Sequence, residues 1–177
     1  MTESNEMNIN FSQVAEKLTQ MLEADQLMRK KMREGEDWDK DVDNKNTHRL
    51  KEIIKEIGWP TISKVGKEAS LSAWIIVQHA DFDLDFQIEC LDLMRAETND
   101  VRPDLLALLE DRVMVNTKGN QLYGTQFYTD EKGIFGPRPI EDIDNLTTRR
   151  NSVGLIPFAE YETHMRNMNE EWVKNHP

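Results

Sequence analysis

A histidine and two polar neighbours interrupt one of the most apolar stretches of the chain. The segment Leu71–Ala80 reads LSAWIIVQHA, so Gln78 and His79 stand at the end of a helix that is predicted to be buried on nearly every side. Burying polar groups without partners costs about 1–3 kcal/mol, so both should have partners or face a cavity. Asp81 follows two residues later, near enough to orient an imidazole. The pattern predicts either a catalytic general acid/base, with His79 oriented by Asp81, or a buried histidine that pins a helix corner.

A second polar cluster is expected where residues 112–115 and 121–128 are predicted to form two short strands around a turn that contains Gly119. An arginine, a threonine hydroxyl and two amides in such a hairpin could recognise an anionic or amide-bearing ligand. The alternative is that these groups only satisfy the edges of the hairpin. With the amide next to the histidine, the candidate substrate-binding residues are Gln78, Arg112, Tyr123, Thr125 and Gln126.

The residue types that usually hold metals or cofactors are sparse. No two of the four histidines form an HExxH-like pair, and the single Cys90 excludes an internal disulfide and a cysteine-rich zinc site. A glycine-rich phosphate loop, a GxSxG motif and a dinucleotide-binding motif are all absent from the sequence. A metal ion held by His79 and Asp81 is the weaker alternative, and we therefore predict no metal and no cofactor.

The elements that must position these residues are mostly helices. From Ile9 onward apolar residues recur at helical spacing, which predicts a long first helix. Further helices are predicted in the segment that ends at Gly58, over residues 71–80, after the aspartates that follow residue 80, from Pro103, around residues 143–151 and from Pro157. The fold class is therefore mainly α (α+β), a compact helical bundle with one β-hairpin. We expect residues 1–8 to form a flexible polar tail and residues 9–177 to form a single domain.

The charge of the chain limits its partners. Its 177 residues include 33 acidic and 22 basic side chains, for a formal net charge of −11, which disfavours binding to nucleic acid. Part of the excess lies in Glu34–Asp43, a predicted solvated linker whose acids at alternate positions weakly resemble a calcium-binding loop. The acidic N-terminal region, with its long Met-rich helix, could dock a basic protein partner. No apolar run is long enough to span a membrane, and the first residues do not resemble a signal peptide. These features predict a cytoplasmic protein with no membrane contact.

Seven ordered motifs resemble a bacterial protein family catalogued only as a domain of unknown function. The resemblance covers roughly residues 40–165 and leaves the acidic N-terminal helix outside it. It implies a mostly helical protein and supplies no activity, cofactor or catalytic residue. The motifs are Asn46–Ile54, Gly58–Thr61 (GWPT), Trp74–Asp81 (W-x-x-x-QHAD), Asp111–Val113, Gln121–Phe127 (QLYGTQF), Pro139–Asp142 (PIED) and Arg149–Leu155.

Three functions are compatible with these residues. The first is a small metal-independent hydrolase that uses His79 as acid/base on an anionic or amide-bearing small ligand. The second is a non-catalytic module that binds a protein or a small ligand, in which the polar clusters only specify the fold. The third is a toxin-like nuclease acting through His79 and Arg112, which the negative charge disfavours. The identity of the ligand and the oligomeric state stay open.

Overall fold

A computed structural model describes residues 9–175 and divides the chain into two units, the first ending at Val101 and the second beginning at Arg102. Helices dominate both units, and the second also contains a two-stranded antiparallel hairpin. The predicted mainly α (α+β) class with one hairpin is therefore confirmed. The flexible tail predicted for residues 1–8 lies outside the described residues.

Polar side chains begin three of the helices of the first unit. The Asn10 side chain accepts a hydrogen bond from the N–H of Gln13 at 3.2 Å, and Asp83 caps another helix in the same way. The Asp39 side chain accepts a hydrogen bond from the N–H of Asp41 at 3.0 Å and caps the second helix, which begins at Lys40. The helices of this unit are α1 (Phe11–Arg33), α2 (Lys40–Ile57), α3 (Ile62–Gln78) and α4 (Leu84–Ala96).

The core of the first unit is centred on the packing of α1 against α3. The predicted apolar stripe of α1 is confirmed, because its buried side chains recur every three or four residues along one face. The facing part of α3 contributes small and branched side chains, and this packing brings α1 alongside the end of α3 at His79. The buried apolar residues of the two helices include Val14, Leu18, Met21, Met28, Val65, Ala69, Ala73, Ile76 and Val77.

The second unit consists of a long helix, the hairpin and two further helices. The hairpin strands pair in antiparallel register, with Tyr128 opposite Gly136. A short 3₁₀ turn over Ile143–Asn145 leads into the next helix. The elements are α5 (Pro103–Lys118), β1 (Phe127–Thr129), β2 (Phe135–Pro137), α6 (Leu146–Ser152) and α7 (Phe158–Asn175).

The hairpin lies later in the chain than the sequence predicts. Residues 112–115, expected to form its first strand, belong to α5, and most of the expected second strand is a loop. Helix α5 continues until Gly119, which adopts a left-handed conformation with φ of 78° and ends the helix. Buried Leu105, Leu109 and Val113 follow one another at spacings of four, so helical packing outweighs the local strand preference of valine.

Within residues 9–175, no helix combines the length and the apolar character needed to cross a lipid bilayer.

Candidate functional site

His79 terminates α3 and pairs with a carboxylate from α1. Its backbone N–H bonds the carbonyl of Ile75 at 3.1 Å, which fixes the residue as the cap of the helix. Its side chain is 28% exposed, and Nδ1 lies 2.8 Å from Oδ1 of Asp25. The imidazole is therefore anchored at one nitrogen and partly open to solvent.

Asp25 is the buried partner in this pair. Its side chain is 1% exposed although it lies on the apolar face of α1, between Met21 and Met28. Burial raises the pKa of Asp25, but the hydrogen bond and charge of His79 and the guanidinium of Arg29 outweigh burial and hold the pKa below its ordinary value. Asp25 is therefore a carboxylate at neutral pH.

Arg29 joins Asp25 to a second buried carboxylate. Its Nε lies 3.1 Å from Oδ1 of Asp25, and its Nη2 lies 3.0 Å from Oδ1 of Asp43 on α2. The indole N–H of Trp38 donates to the other oxygen of Asp43 at 2.9 Å. Asp25, Arg29, Asp43 and His79 form what we call the imidazole cluster. Its formal charge is −1 with a neutral imidazole and zero with a protonated one.

The hydrogen bonds indicate which imidazole nitrogen is open. Nδ1 of His79 lies 2.8 Å from Oδ1 of Asp25 and also accepts a hydrogen bond from Nε of Arg29 at 3.0 Å, and the same N–H of Arg29 is shared with both oxygens of Asp25. In the alternative tautomer, a proton on Nδ1 gives Asp25 a donor and leaves Nε2 with a free electron pair. Among the described residues none is recorded as bonding Nε2, whereas Nδ1 contacts both Asp25 and Arg29.

The carboxylate that contacts Nδ1 of His79 at 2.8 Å is that of Asp25, whereas the sequence predicted Asp81 as the orienting residue. Its carboxylate accepts a hydrogen bond from Nε2 of Gln87 at 3.1 Å, and the same amide donates to the carbonyl of Val77 at 3.0 Å. Because the chain turns after α3, the imidazole is held by the helix packed beside it, and Asp25 takes the role expected of Asp81. Gln78 is buried in the last turn of α3.

The second unit surrounds a different buried carboxylate. Asp111 on α5 is fully buried and accepts backbone N–H donors from Leu122, Tyr123 and Thr125 at 2.7, 2.9 and 2.9 Å. The Thr125 hydroxyl also donates to it at 2.9 Å. Burial raises the pKa of Asp111, and these hydrogen bonds act in the opposite direction. The carboxylate thus fixes residues 121–126, which we call the 121–126 loop.

Arginines bind the opposite side of the same loop. Nε of Arg149 donates to the carbonyl of Leu122 at 3.0 Å, and Nη1 of Arg150 donates to the carbonyl of Tyr123. Arg150 is fully buried, and its guanidinium lies 5.0 Å from the ring centre of Tyr161. Burial lowers the pKa of Arg150. The N–H groups of the loop thus meet an anion and its carbonyls meet cations.

The predicted substrate-binding residues of this unit lie in the 121–126 loop or next to Asp111. The backbone of Tyr123 and the backbone and hydroxyl of Thr125 bond Asp111, while Nε2 of Gln126 donates to Oγ1 of Thr125 at 3.2 Å. Arg112 follows Asp111 on α5 and is half-buried. Gln78, His79 and Asp81 belong to the first unit, and Arg112, Tyr123, Thr125 and Gln126 to the second.

Asp25 and Asp111 were not among the predicted site residues, although their positions in the sequence indicate burial. Asp25 stands at the spacing of the buried residues of α1, and Asp111 stands four residues after buried Ala107 and three before buried Met114. A carboxylate at a buried position of a helix needs partners, so its presence is informative. Arg29 and Asp43 carry no comparable signal, because charged residues are common in both segments.

A groove also opens beside the second half of α1. It has a volume of about 280 Å³, and its lining combines four apolar side chains with three acidic side chains and one lysine. Leu27 in this lining is 56% exposed. We call it the α1 groove; its lining residues are Ala24, Leu27, Met28, Lys31, Glu36, Asp37, Asp39 and Val42.

In the part of the chain that the structure describes, no three His, Cys, Asp or Glu side chains converge as a group that could hold a metal ion. In the imidazole cluster, the cation that bridges the two carboxylates is the guanidinium of Arg29.

These features define a mainly helical protein with a buried carboxylate–imidazole pair and an anchored polar loop. The chain belongs to DUF6624, a family of unknown function, whose model matches residues 12–174. The family region is thus longer than the predicted 40–165 and includes α1, which carries Asp25 and Arg29. Comparison with curated proteins found no match, and neither did comparison with solved structures.

Proposed function

We propose that the imidazole cluster is the acid/base centre of a small hydrolase, with His79 as the proton-transferring residue and Asp25 as its positioning residue. The single observation that carries this proposal is the 2.8 Å contact between Nδ1 of a partly exposed His79 and a buried carboxylate. A carboxylate at one imidazole nitrogen fixes the tautomer and stabilises the imidazolium that forms when the other nitrogen takes a proton.

The hydrolytic step requires a water molecule and a substrate bond. The water oxygen forms a bond to the electrophilic atom of the substrate while its proton passes to Nε2 of His79. The bond to the leaving group then breaks, and the leaving group takes the proton back from Nε2. Asp25 remains ionised throughout, which its lowered pKa supports.

The proposed acid/base centre does not depend on the other sequence predictions, which concern substrate contacts, nuclease activity and location. Substrate contacts by Gln78, Arg112, Tyr123, Thr125 and Gln126 stay predictions. The nuclease alternative is less favoured, since the net charge of −11 opposes binding to phosphate backbones. A cytoplasmic location is also proposed, supported by the single buried thiol of Cys90.

The test is hydrolysis of a panel of p-nitrophenyl esters, carboxylic and phosphoric, by the purified full chain. We expect saturable turnover that falls about 100-fold or more in His79→Gln, the usual range for loss of general acid/base catalysis. His164→Gln, which alters an exposed histidine of α7, is the matched control and should retain the wild-type rate. Equal rates in a folded His79→Gln variant, or no saturable hydrolysis by the wild type, would exclude this function.

A second function, docking of a basic peptide, is favoured by the α1 groove. The groove volume of about 280 Å³ can accept one bulky apolar side chain, and Glu36, Asp37 and Asp39 at its edge complement Lys or Arg residues on either side. We propose as the occupant a short peptide with a Phe or Leu anchor between basic residues. Lys31 lies 3.6 Å from Glu36 and neutralises part of this edge, so binding should be moderate and salt-dependent.

Titration with a fluorescent Lys/Arg-flanked Phe peptide tests the docking function. The triple variant Glu36→Gln, Asp37→Asn, Asp39→Asn should weaken binding about tenfold, and Asn at position 39 still caps α2. The control Glu131→Gln, Glu170→Gln, Glu171→Gln makes the same change in net charge at exposed sites of the second unit. Equal losses in both variants would show that only the net charge attracts the peptide and would exclude the groove.

A further inference from the structure

We infer that the imidazole cluster acts on a neutral carbonyl group, that of a carboxylic ester or amide, rather than on a phosphoester. This inference rests on the proposed hydrolytic function and narrows its substrate class. It is carried by two observations: the charge of Arg29 is already compensated, and His79 stands at the carboxyl end of a helix.

Arg29 has little charge to offer an anionic substrate. Its Nε bonds both oxygens of Asp25 at 3.1 and 3.3 Å, and its Nη2 bonds Asp43 at 3.0 Å. Both carboxylates are almost fully buried, so water screens them weakly from a group bound beside them. With a neutral imidazole ready to accept a proton, the cluster is net negative and repels a phosphate.

The position of His79 at the carboxyl end of α3 also disfavours a phosphate. His79 is the cap residue at the carboxyl end of α3, where the peptide dipoles produce a partial negative charge. Sites for phosphate groups usually present the opposite end of a helix, whose free N–H groups face the anion. The end of α3 therefore disfavours a phosphate near the imidazole and leaves a neutral group unaffected.

Arg29 retains one group that suits a carbonyl oxygen. Its side chain is 24% exposed, and no described residue accepts a hydrogen bond from Nη1. An N–H donor can polarise a neutral carbonyl and bind its oxygen more strongly as negative charge develops there. The water oxygen then bonds to the carbonyl carbon as its proton passes to Nε2 of His79. The carbon–oxygen or carbon–nitrogen bond breaks, and the leaving group takes that proton.

The experiment compares three substrates with the same leaving group: p-nitrophenyl acetate, p-nitrophenyl phosphate and bis(p-nitrophenyl) phosphate. We expect saturable, His79-dependent hydrolysis of the acetate and at least a 100-fold lower kcat/KM for both phosphates. Arg29→Lys keeps the positive charge but loses the planar donor set, so kcat on the acetate should fall about tenfold with little change in KM.

The outcomes separate the inference from the function on which it rests. Preferential hydrolysis of a phosphate ester, lost in His79→Gln, would overturn the substrate class and leave the hydrolase intact. Absence of saturable hydrolysis of all three substrates would overturn both. A measurement independent of turnover is the melting temperature of the wild type in inorganic phosphate: the inference expects no His79-dependent rise, and such a rise would contradict it.

Discussion

Asp25 and His79 are 54 positions apart in the chain, yet Oδ1 of the first lies 2.8 Å from Nδ1 of the second. One residue is on the buried face of α1 and the other ends α3, so the contact depends on the packing of these two helices. Both residues lie within the region matched by the family model. The pair combines a carboxylate shielded from water with an imidazole that water can reach, as proton transfer to a ligand requires.

Asp25→Asn should lower both stability and activity. The substitution removes the charged acceptor shared by Arg29 and His79, while Arg29 keeps its pairing with Asp43, so the loss should be about 1–3 kcal/mol. Urea unfolding followed by circular dichroism measures this loss. Asp92→Asn, at a site whose carboxylate is 66% exposed, should change the unfolding free energy by less than about 0.5 kcal/mol. A similar stability for wild type and Asp25→Asn would contradict the role of Asp25 as the anchor.

The contribution of Asp25 should disappear in acid. Because its pKa is lower in the folded chain than the ordinary value of 3.8, its charge stabilises the fold above that pH. The stabilisation is lost as the pH falls below 3.8 and through the folded pKa. The part of the difference in unfolding free energy between wild type and Asp25→Asn that depends on the Asp25 charge should therefore shrink as the pH falls from about 5 toward 3. A difference in unfolding free energy that grows on acidification would contradict the lowered pKa of Asp25.

Asp111→Ala should release the 121–126 loop. It removes the acceptor for three backbone N–H groups and one hydroxyl, and such buried donors each cost about 1–3 kcal/mol when unpaired, less where water enters. We expect a total loss of about 3 kcal/mol and faster amide hydrogen exchange at Leu122, Tyr123 and Thr125. Thr125→Val removes only the hydroxyl bond and should cost about 1 kcal/mol. Unchanged exchange in Asp111→Ala would exclude the carboxylate as the anchor of the loop.

Two glycine substitutions should separate backbone strain from packing. Gly124 and Gly133 both have positive φ, 69° and 79°. A Cβ at Gly124 would lie 2.8 Å from Cε2 of Phe158 and 3.0 Å from Cδ1 of Ile140, whereas a Cβ at Gly133 would meet nothing within 4 Å. Gly133→Ala should cost about 1 kcal/mol, and Gly124→Ala about 1–3 kcal/mol more because it also overpacks the site. Equal melting temperatures for the two variants would contradict the close approach at Gly124.

The sequence alone was a good guide to the helices and a poorer guide to the hairpin. The amphipathic stripe of α1, the stop at Gly58 and the start of α5 at Pro103 depend on local spacing, capping and proline geometry. The predicted position of the hairpin is wrong because Val113 and its neighbours favour a strand locally, whereas their side chains continue the buried face of helix α5. Which local preference prevails is decided by burial.

In the candidate site, the sequence distinguishes His79 from the other histidines, because a histidine that ends an apolar helix needs a partner or a cavity. It also shows the types of group available, a carboxylate, an imidazole and guanidinium groups, which are compatible with the proposed acid/base chemistry. The packing of α1 against α3 brings Asp25, which is distant in sequence, to Nδ1 of His79. Asp81 is close to His79 along the chain, but a hydrogen bond depends on distance in space. The distance between Asp25 and His79 is set by the packing of α1 against α3.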